Sequence, residues 1–271
     1  MIELIDSHCH IQSISAKSGE SNTIKLWAKS KDLSVESVIK EAKSASVYKM
    51  ICVGCNQKDS HQAVEFVKDK DGCFAAVGVH PHDADKISNF DQTYNELKKL
   101  ALSPKVVAIG ECGLDYHYLH STKVNQKQVF KLHLKLAQEL NLPVIFHIRD
   151  AYNDFWPIVD QFKEIKGVVH SFSDSTSNLN EAIKRGYFIG VNGIATFTKD
   201  QDQLKAYKQI PLNNLLLETD APYLTPSPYR GKINQPKYIL DIAKFLCQLK
   251  EVNLEDLARQ TSLNANKLFN I

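Results

Sequence analysis

The chain has 271 residues, 43% of them apolar and 24% charged, with a formal net charge of +2. That length suits one large core, no stretch approaches the roughly 20 apolar residues of a membrane helix, and the charge balance excludes a global basic field. Contact with nucleic acid would have to come from a local cluster.

The chain enters its core at Ile2, and no signal peptide is expected ahead of the first strand. That strand candidate is "IELIDSHCH". Side chains alternate along a strand, so Asp6, His8 and His10 share one face and Ile5, Ser7 and Cys9 the other. Two imidazoles on one face at the end of a buried strand either satisfy hydrogen bonds or hold a metal. The segment 11–33 that follows is long for a βα loop, which usually has about two to six residues.

Seven more strand candidates follow: "KMICVGC", "FAAVGVH", "KVVAIGE", "PVIFH", "GVVHSF", "YFIGVN" and "NLLLETD". Between them lie helix-like segments near 34–46, 58–70, 89–102, 123–141, 151–165, 176–185 and 200–209. A further helix is expected at about 235–250, and two short ones close the chain. Val129, Leu132, Leu136 and Leu140 show the helical spacing. Strands that alternate with helices pair in parallel through crossovers, and continuous apolar runs imply cover on both faces. Eight such units predict an α/β fold, a (β/α)8 TIM-like barrel with its active site at the C-terminal ends of the strands. A doubly wound open sheet is the alternative. No linker or low-complexity stretch interrupts the rhythm, so residues 1–271 read as one domain.

The six cysteines sit mostly in apolar runs and read as reduced thiols of a cytoplasmic protein. Cys52 and Cys55 form a lone C-x-x-C, a weak zinc or redox signal, and are expected to be structural.

The strand ends carry the chemistry. The first gives His8 and His10, the third His80 with His82 just beyond, and the fourth Glu111. The fifth gives His147, the sixth His170, the seventh Asn192 and the eighth Asp220. In a parallel barrel these ends converge at one mouth. Imidazoles with carboxylates are the ligands of Zn²⁺, Mn²⁺, Fe²⁺ or Mg²⁺. His8, His10, Glu111, His147, His170 and Asp220 are too many for one tetrahedral ion and suit two ions bridged by a carboxylate. His61 and His133, in helical segments, and His117 and His120, in a loop, are read as solvated.

Six motifs in order resemble the TatD family of metal-dependent deoxyribonucleases, within the amidohydrolase-like barrels. They are "IDSHCH", "AVGVHPHDA", "AIGECGLDY", "LPVIFHIRDA", "VVHSFSDS" and "LLLETDAPYLTPSPYRGKINQP". The resemblance implies that His8, His10 and Asp220 hold one divalent ion, His147 and His170 a second, and that Glu111 bridges them. Mg²⁺ or Mn²⁺ is expected, with Zn²⁺ as an alternative. It assigns His80, His82, Arg149, Tyr223 and Arg230 to substrate. It also implies hydrolysis of phosphodiester bonds by a 3′–5′ exonuclease on single-stranded DNA, with RNA or tRNA as other substrates. Asp220 and Glu111 are the expected catalytic carboxylates, with Asp220 accepting the proton of the attacking water. A monomer with no membrane partner is expected. The family usually follows H-x-H with Leu-Asp and a short loop, whereas Ile11 and Gln12 open the long 11–33 segment here. Two readings compete: a metal-dependent ester or amide hydrolase of the same superfamily, acting on an aminoacyl-tRNA ester or a lactone, and a non-catalytic nucleic-acid-binding barrel.

Overall fold

The computed structural model describes residues 2–15, 22–30 and 33–271. Eight strands occur in chain order: β1 Leu4–Cys9, β2 Val47–Val53, β3 Cys73–Val77, β4 Val106–Asp115, β5 Val144–Arg149, β6 Gly167–Val169, β7 Phe188–Val191 and β8 Leu215–Leu217. Each overlaps one of the eight predicted segments; β4 and β5 run on past theirs, to Asp115 and Arg149, and β2 and β3 begin before theirs. Helices separate them: α1 Asn22–Trp27, α2 Val35–Ser44, α3 Gln57–Val67, α4 Phe90–Ala101, α5 Lys123–Leu140, α6 Tyr152–Val159, α7 Thr176–Lys184 and α8 Gln201–Gln209. α9 Ile239–Lys250 and α10 Leu254–Phe269 follow β8. The chain forms two compact units, one made of the residues up to Cys52 with Ser171–Lys267, the other of Val53–His170 with Leu268–Ile271.

In the first unit β1 pairs in parallel with β2, setting Leu4 beside Val47 and Cys9 beside Cys52. β7 pairs in parallel with β8, and an isolated bridge joins Cys9 to Ala221. All six residues of β1 are buried, as an apolar strand covered on both faces requires. In the second unit β3, β4, β5 and β6 pair in parallel and in order. The register sets Gly113 beside His147 and Asp115 beside Arg149. Gly113 has φ 146°, and a Cβ there would lie 2.0 Å from the His147 carbonyl oxygen. Only glycine lets β4 run this close to β5 at the level of His147.

Two expectations for the helices need correction. The helix expected over 151–165 ends at Val159. The two short closing helices are one, α10. Its polar residues Thr261, Ser262 and Asn264 each find a partner. Thr261 bonds back to the Leu257 carbonyl, Ser262 Oγ donates to the Glu3 carbonyl, and Asn264 donates to the carbonyls of Leu212 and Leu215. Ser262 and Asn264 are thereby tied to backbone outside α10 rather than to its own turns. The long segment after β1 is partly ordered into a 3-10 turn, Ile11–Ser15, and α1; residues 16–21 and 31–32 of it lie outside the described residues. Among the described residues no helix is long and apolar enough to cross a membrane.

Candidate metal centre

In the first unit, β1 delivers His8 and His10 and the turn after β8 delivers Asp220. The two Nε2 atoms lie 3.3 Å apart, and Asp220 Oδ1 is 3.8 Å from the first and 3.3 Å from the second. Both imidazoles are buried. The backbone places them: Asp220 N–H donates to the His8 carbonyl and His10 N–H to the Ala221 carbonyl, each at 2.8 Å. Asp6 fixes this junction rather than joining the donor set. Its carboxylate accepts from Thr219 N (2.9 Å), Thr219 Oγ1 (2.5 Å) and His8 N (3.2 Å). Burial pushes the Asp6 carboxyl up to about 7, against the pull of the Thr219 hydrogen bonds.

The segment after β1 reaches the same place. Trp27 Nε1 donates to the His10 carbonyl at 3.2 Å, and the Thr23 and Tyr223 hydroxyls are 2.7 Å apart. Tyr223 stands edge-on to His10, ring centroids 6.2 Å apart. Arg230, exposed, donates to the Thr225 carbonyl and lies over the Phe197 ring at 3.8 Å.

In the second unit, Glu111 is the hub. Its Oε1 lies 2.8 Å from His147 Nδ1, 3.6 Å from His80 Nε2 and 3.7 Å from His170 Nε2. His80 Nε2 is also 3.3 Å from His147 Nδ1, so His80, assigned to substrate from the sequence, forms with Glu111 and His147 a group that could hold a metal ion. The other side of His147 belongs to Asp115, whose Oδ2 is 2.9 Å from Nε2. The same oxygen is 3.0 Å from His82 Nε2. Asp115 is buried and accepts two backbone N–H groups as well, from His117 and Tyr118.

These contacts set the charges. Burial would raise the Asp115 carboxyl, but His147, His82 and the Tyr118 N–H hold it far below the usual carboxylate range. Burial would lower His147, yet its bonds to Asp115 and Glu111 prevail and push it up to about 9. His80 goes the other way, well below its ordinary value, through burial and the neighbouring His147 charge. With Asp115 on Nε2, His147 keeps Nδ1 toward Glu111. A carboxylate behind an imidazole is how metal-ligating histidines are oriented and made more basic.

Asp115 was missed from the sequence, although it was legible there. Residues 111, 113 and 115 share one strand face, so a carboxylate four positions after Glu111 points the same way. His133 was misread as solvated. It is buried, accepts from Val79 N–H at 2.9 Å on Nε2, and lies 2.7 Å from the Val129 carbonyl on Nδ1. Burial lowers it to about 4, against the pull of the Val129 hydrogen bond. The reading of His117 and His120 as exposed agrees with the structure, and Arg149 is exposed too. Asn192 caps a 3-10 turn and donates to Ser171 Oγ at 2.8 Å. Cys52 is buried, and the carbonyl of half-buried Cys55 accepts from His80 N–H.

Residues 5–270 match the model of the TatD-related DNase family. The chain belongs to this family. It is a metal-dependent hydrolase with the amidohydrolase-like (β/α)8-barrel fold that the family shares. It is 36% identical over 270 residues to YabD of Bacillus subtilis, named a metal-dependent hydrolase, covering 99% of both chains. It is 37% identical over 244 residues to the 3′-5′ ssDNA/RNA exonuclease TatD of Erwinia tasmaniensis, covering 87% of this chain and 93% of that one. Among solved structures it resembles YjjV, a TatD homologue from Escherichia coli, at 27% identity and a TM-score of 0.83, covering 99% and 98% of the two chains.

Proposed function

We propose that this chain hydrolyses phosphodiester bonds as a 3′–5′ exonuclease on single-stranded DNA, using two divalent ions. The observation that carries the reading is the pairing of imidazoles with carboxylates on strand ends in both units: His8 and His10 with Asp220, and His147, His80 and His170 with Glu111. Mixed nitrogen and oxygen donors of this kind suit Mn²⁺, Zn²⁺ or Mg²⁺. His8, His10 and Asp220 would hold one ion, His147 and His170 the other, and Glu111 both. When bound, such ions polarise a phosphoryl oxygen and acidify water.

The chain's own groups supply the rest. Asp220, partly exposed, accepts the proton of the attacking water at a carboxylate oxygen. Arg149, two residues beyond His147 on β5, binds phosphate oxygens, as a guanidinium does with a planar pair of donors. Tyr223 and Arg230 contact the strand from the turn after β8, and His82 from beyond β3. The relative named a 3′-5′ ssDNA/RNA exonuclease supports the polarity and the preference for single strands. The family match from residue 5 to 270 supports a single functional domain. A cytoplasmic monomer belongs to the same reading.

The test uses oligonucleotides labelled at either end, with metal content measured in parallel. Mononucleotides should leave the 3′ end with Mg²⁺ or Mn²⁺ and stop in a chelator. Arg149→Ala should lower kcat/KM on DNA and flatten its salt dependence, because one fewer counterion is released. Turnover of a neutral ester with none of any DNA would put the ester hydrolase in its place. Binding of DNA without turnover under every divalent ion would favour the non-catalytic reading.

A further inference from the structure

The loop between β4 and α5 has no part in the metal donor sets, yet it is built with care. Its residues His117, Tyr118, Leu119 and His120 are all exposed, Tyr118 by 53% and Leu119 by 50%. Scattered apolar groups on a surface need no explanation, but four consecutive large side chains in one tight loop do. The loop is pinned at both ends. Asp115 accepts the N–H groups of His117 and Tyr118, each at 3.0 Å. Tyr116 donates its N–H to the Arg149 carbonyl and its hydroxyl to Asp154. At the far end Ser121 Oγ donates to the His82 carbonyl and accepts from Asp85 N–H. Exposed rings on a fixed base lose little entropy when they bind something.

The rings are also arranged. Tyr118 and His120 are parallel, 8° between planes, with centroids 5.7 Å apart. His82 stands perpendicular to both, at 5.6 Å and 4.7 Å. The Arg149 guanidinium lies over the Tyr118 ring at 4.8 Å. His117 pairs with Asp150 at 3.0 Å, so that carboxylate already faces a partner. The group is therefore a short π stack with a cation on it. From it His82 leads directly to His80, whose ring is 4.3 Å away, and His80 to His147 at 4.4 Å.

We propose that Tyr118, His120 and Arg149 form a stacking platform for a nucleobase of single-stranded DNA, one nucleotide removed from the phosphate at the metal donors. The inference rests on the nuclease reading and names the subsite that would hold the substrate strand. Every base has a π face, so such a platform is tolerant of sequence, which an exonuclease moving along a strand requires. Arg149 serves both components, its plane against the ring and its N–H groups toward phosphate. A peptide could use the same rings, but a guanidinium stacked beside a metal-donor cluster suits a base followed by a phosphate.

The experiment scans a single 2-aminopurine along a short oligonucleotide whose 3′-terminal linkage is a hydrolysis-resistant phosphorothioate, and reads its fluorescence on binding to the wild-type protein. Quenching should appear at one position near the 3′ end and vanish in Tyr118→Ala. On cleavable DNA, Tyr118→Ala should raise KM about 10-fold, within the usual worth of one stacked base, and Tyr118→Phe should restore it. An abasic site at the quenched position should raise KM for the wild type and make no further difference to Tyr118→Ala. That substitution in the DNA needs no variant protein to fold. Quenching without cleavage of any DNA would leave the platform standing and remove the nuclease reading. Cleavage from the 3′ end with no quenching and no response to an abasic site at any position would overturn the platform and leave the nuclease. Wild-type protein that binds no oligonucleotide would overturn both.

Discussion

His133 ties acid stability to the edge of the candidate metal centre, and its effect can be worked out. The imidazole is fully buried, accepts from Val79 N–H and sits against the Val129 carbonyl. Both ring nitrogens are used in the neutral form, one as donor and one as acceptor. Burial holds the group at about 4, against an ordinary 6.5. Between these values the unfolded chain binds a proton that the folded chain refuses, so folding stability rises with pH there. The contribution is whole above pH 6.5 and is lost as the pH falls toward 4. A displacement of about two and a half pH units is worth about 3.4 kcal/mol in total, of which about 2 kcal/mol is gone by pH 5. His133→Gln keeps an acceptor for Val79 and a donor for Val129 but cannot titrate. Denaturant unfolding at pH 7, 6, 5 and 4.5 should show the wild type losing about 2 kcal/mol more than the variant between pH 7 and pH 5. The difference between the two curves isolates residue 133 from other titrating groups. Parallel curves would refute the reasoning. Because Val79 precedes His80, the same protonation should loosen His80 before the chain unfolds globally.

Three further outcomes are expected. Asp115→Asn removes the charge behind His147 and His82 and should weaken metal binding about 10- to 100-fold, measured by calorimetric titration; unchanged affinity would show that Asp115 merely anchors the loop. Asp220→Asn keeps a ligand oxygen but loses most of its basicity, so kcat on DNA should fall about 10²- to 10⁴-fold with DNA binding near normal; a full-rate enzyme would assign the proton elsewhere. Replacing Cys52 and Cys55 together by Ala should cost some stability and leave metal stoichiometry unchanged, and a lost equivalent of metal by elemental analysis would show the thiols to be ligands.

The strand ends were legible in the sequence because each ends an apolar run in a polar, chemistry-bearing residue, as in "PVIFH" and "NLLLETD". What was not legible came from partners far away in sequence. Nothing near Thr261 or Asn264 shows that the carbonyls of Leu212 and Leu215 await Asn264, so α10 looked broken. His133 is a different failure. It lies four residues after Val129 and four before Ala137, at the centre of the buried stripe of α5. In the sequence it reads as solvated because it lies in a helical segment away from the strand ends. Asp6 shares its strand face with His8 and His10 as alternation requires, but two backbone N–H groups and the Thr219 hydroxyl claim its carboxylate.

The stitching of β1 to the end of β8 has a consequence for synthesis. Asp6 and Thr219 are 213 positions apart, and Ser7 reaches the Leu217 carbonyl across 210. Translation must therefore pass residue 221 before His8 and His10 gain the backbone partners that aim them. Until then a nascent chain carries β1, buried along its whole length in the folded protein, with one edge bare and open to pairing with a neighbouring copy. Premature stop products that end before β8 would keep this exposed edge permanently. They should collect in the insoluble fraction, whereas products shortened only within α10 retain the stitch.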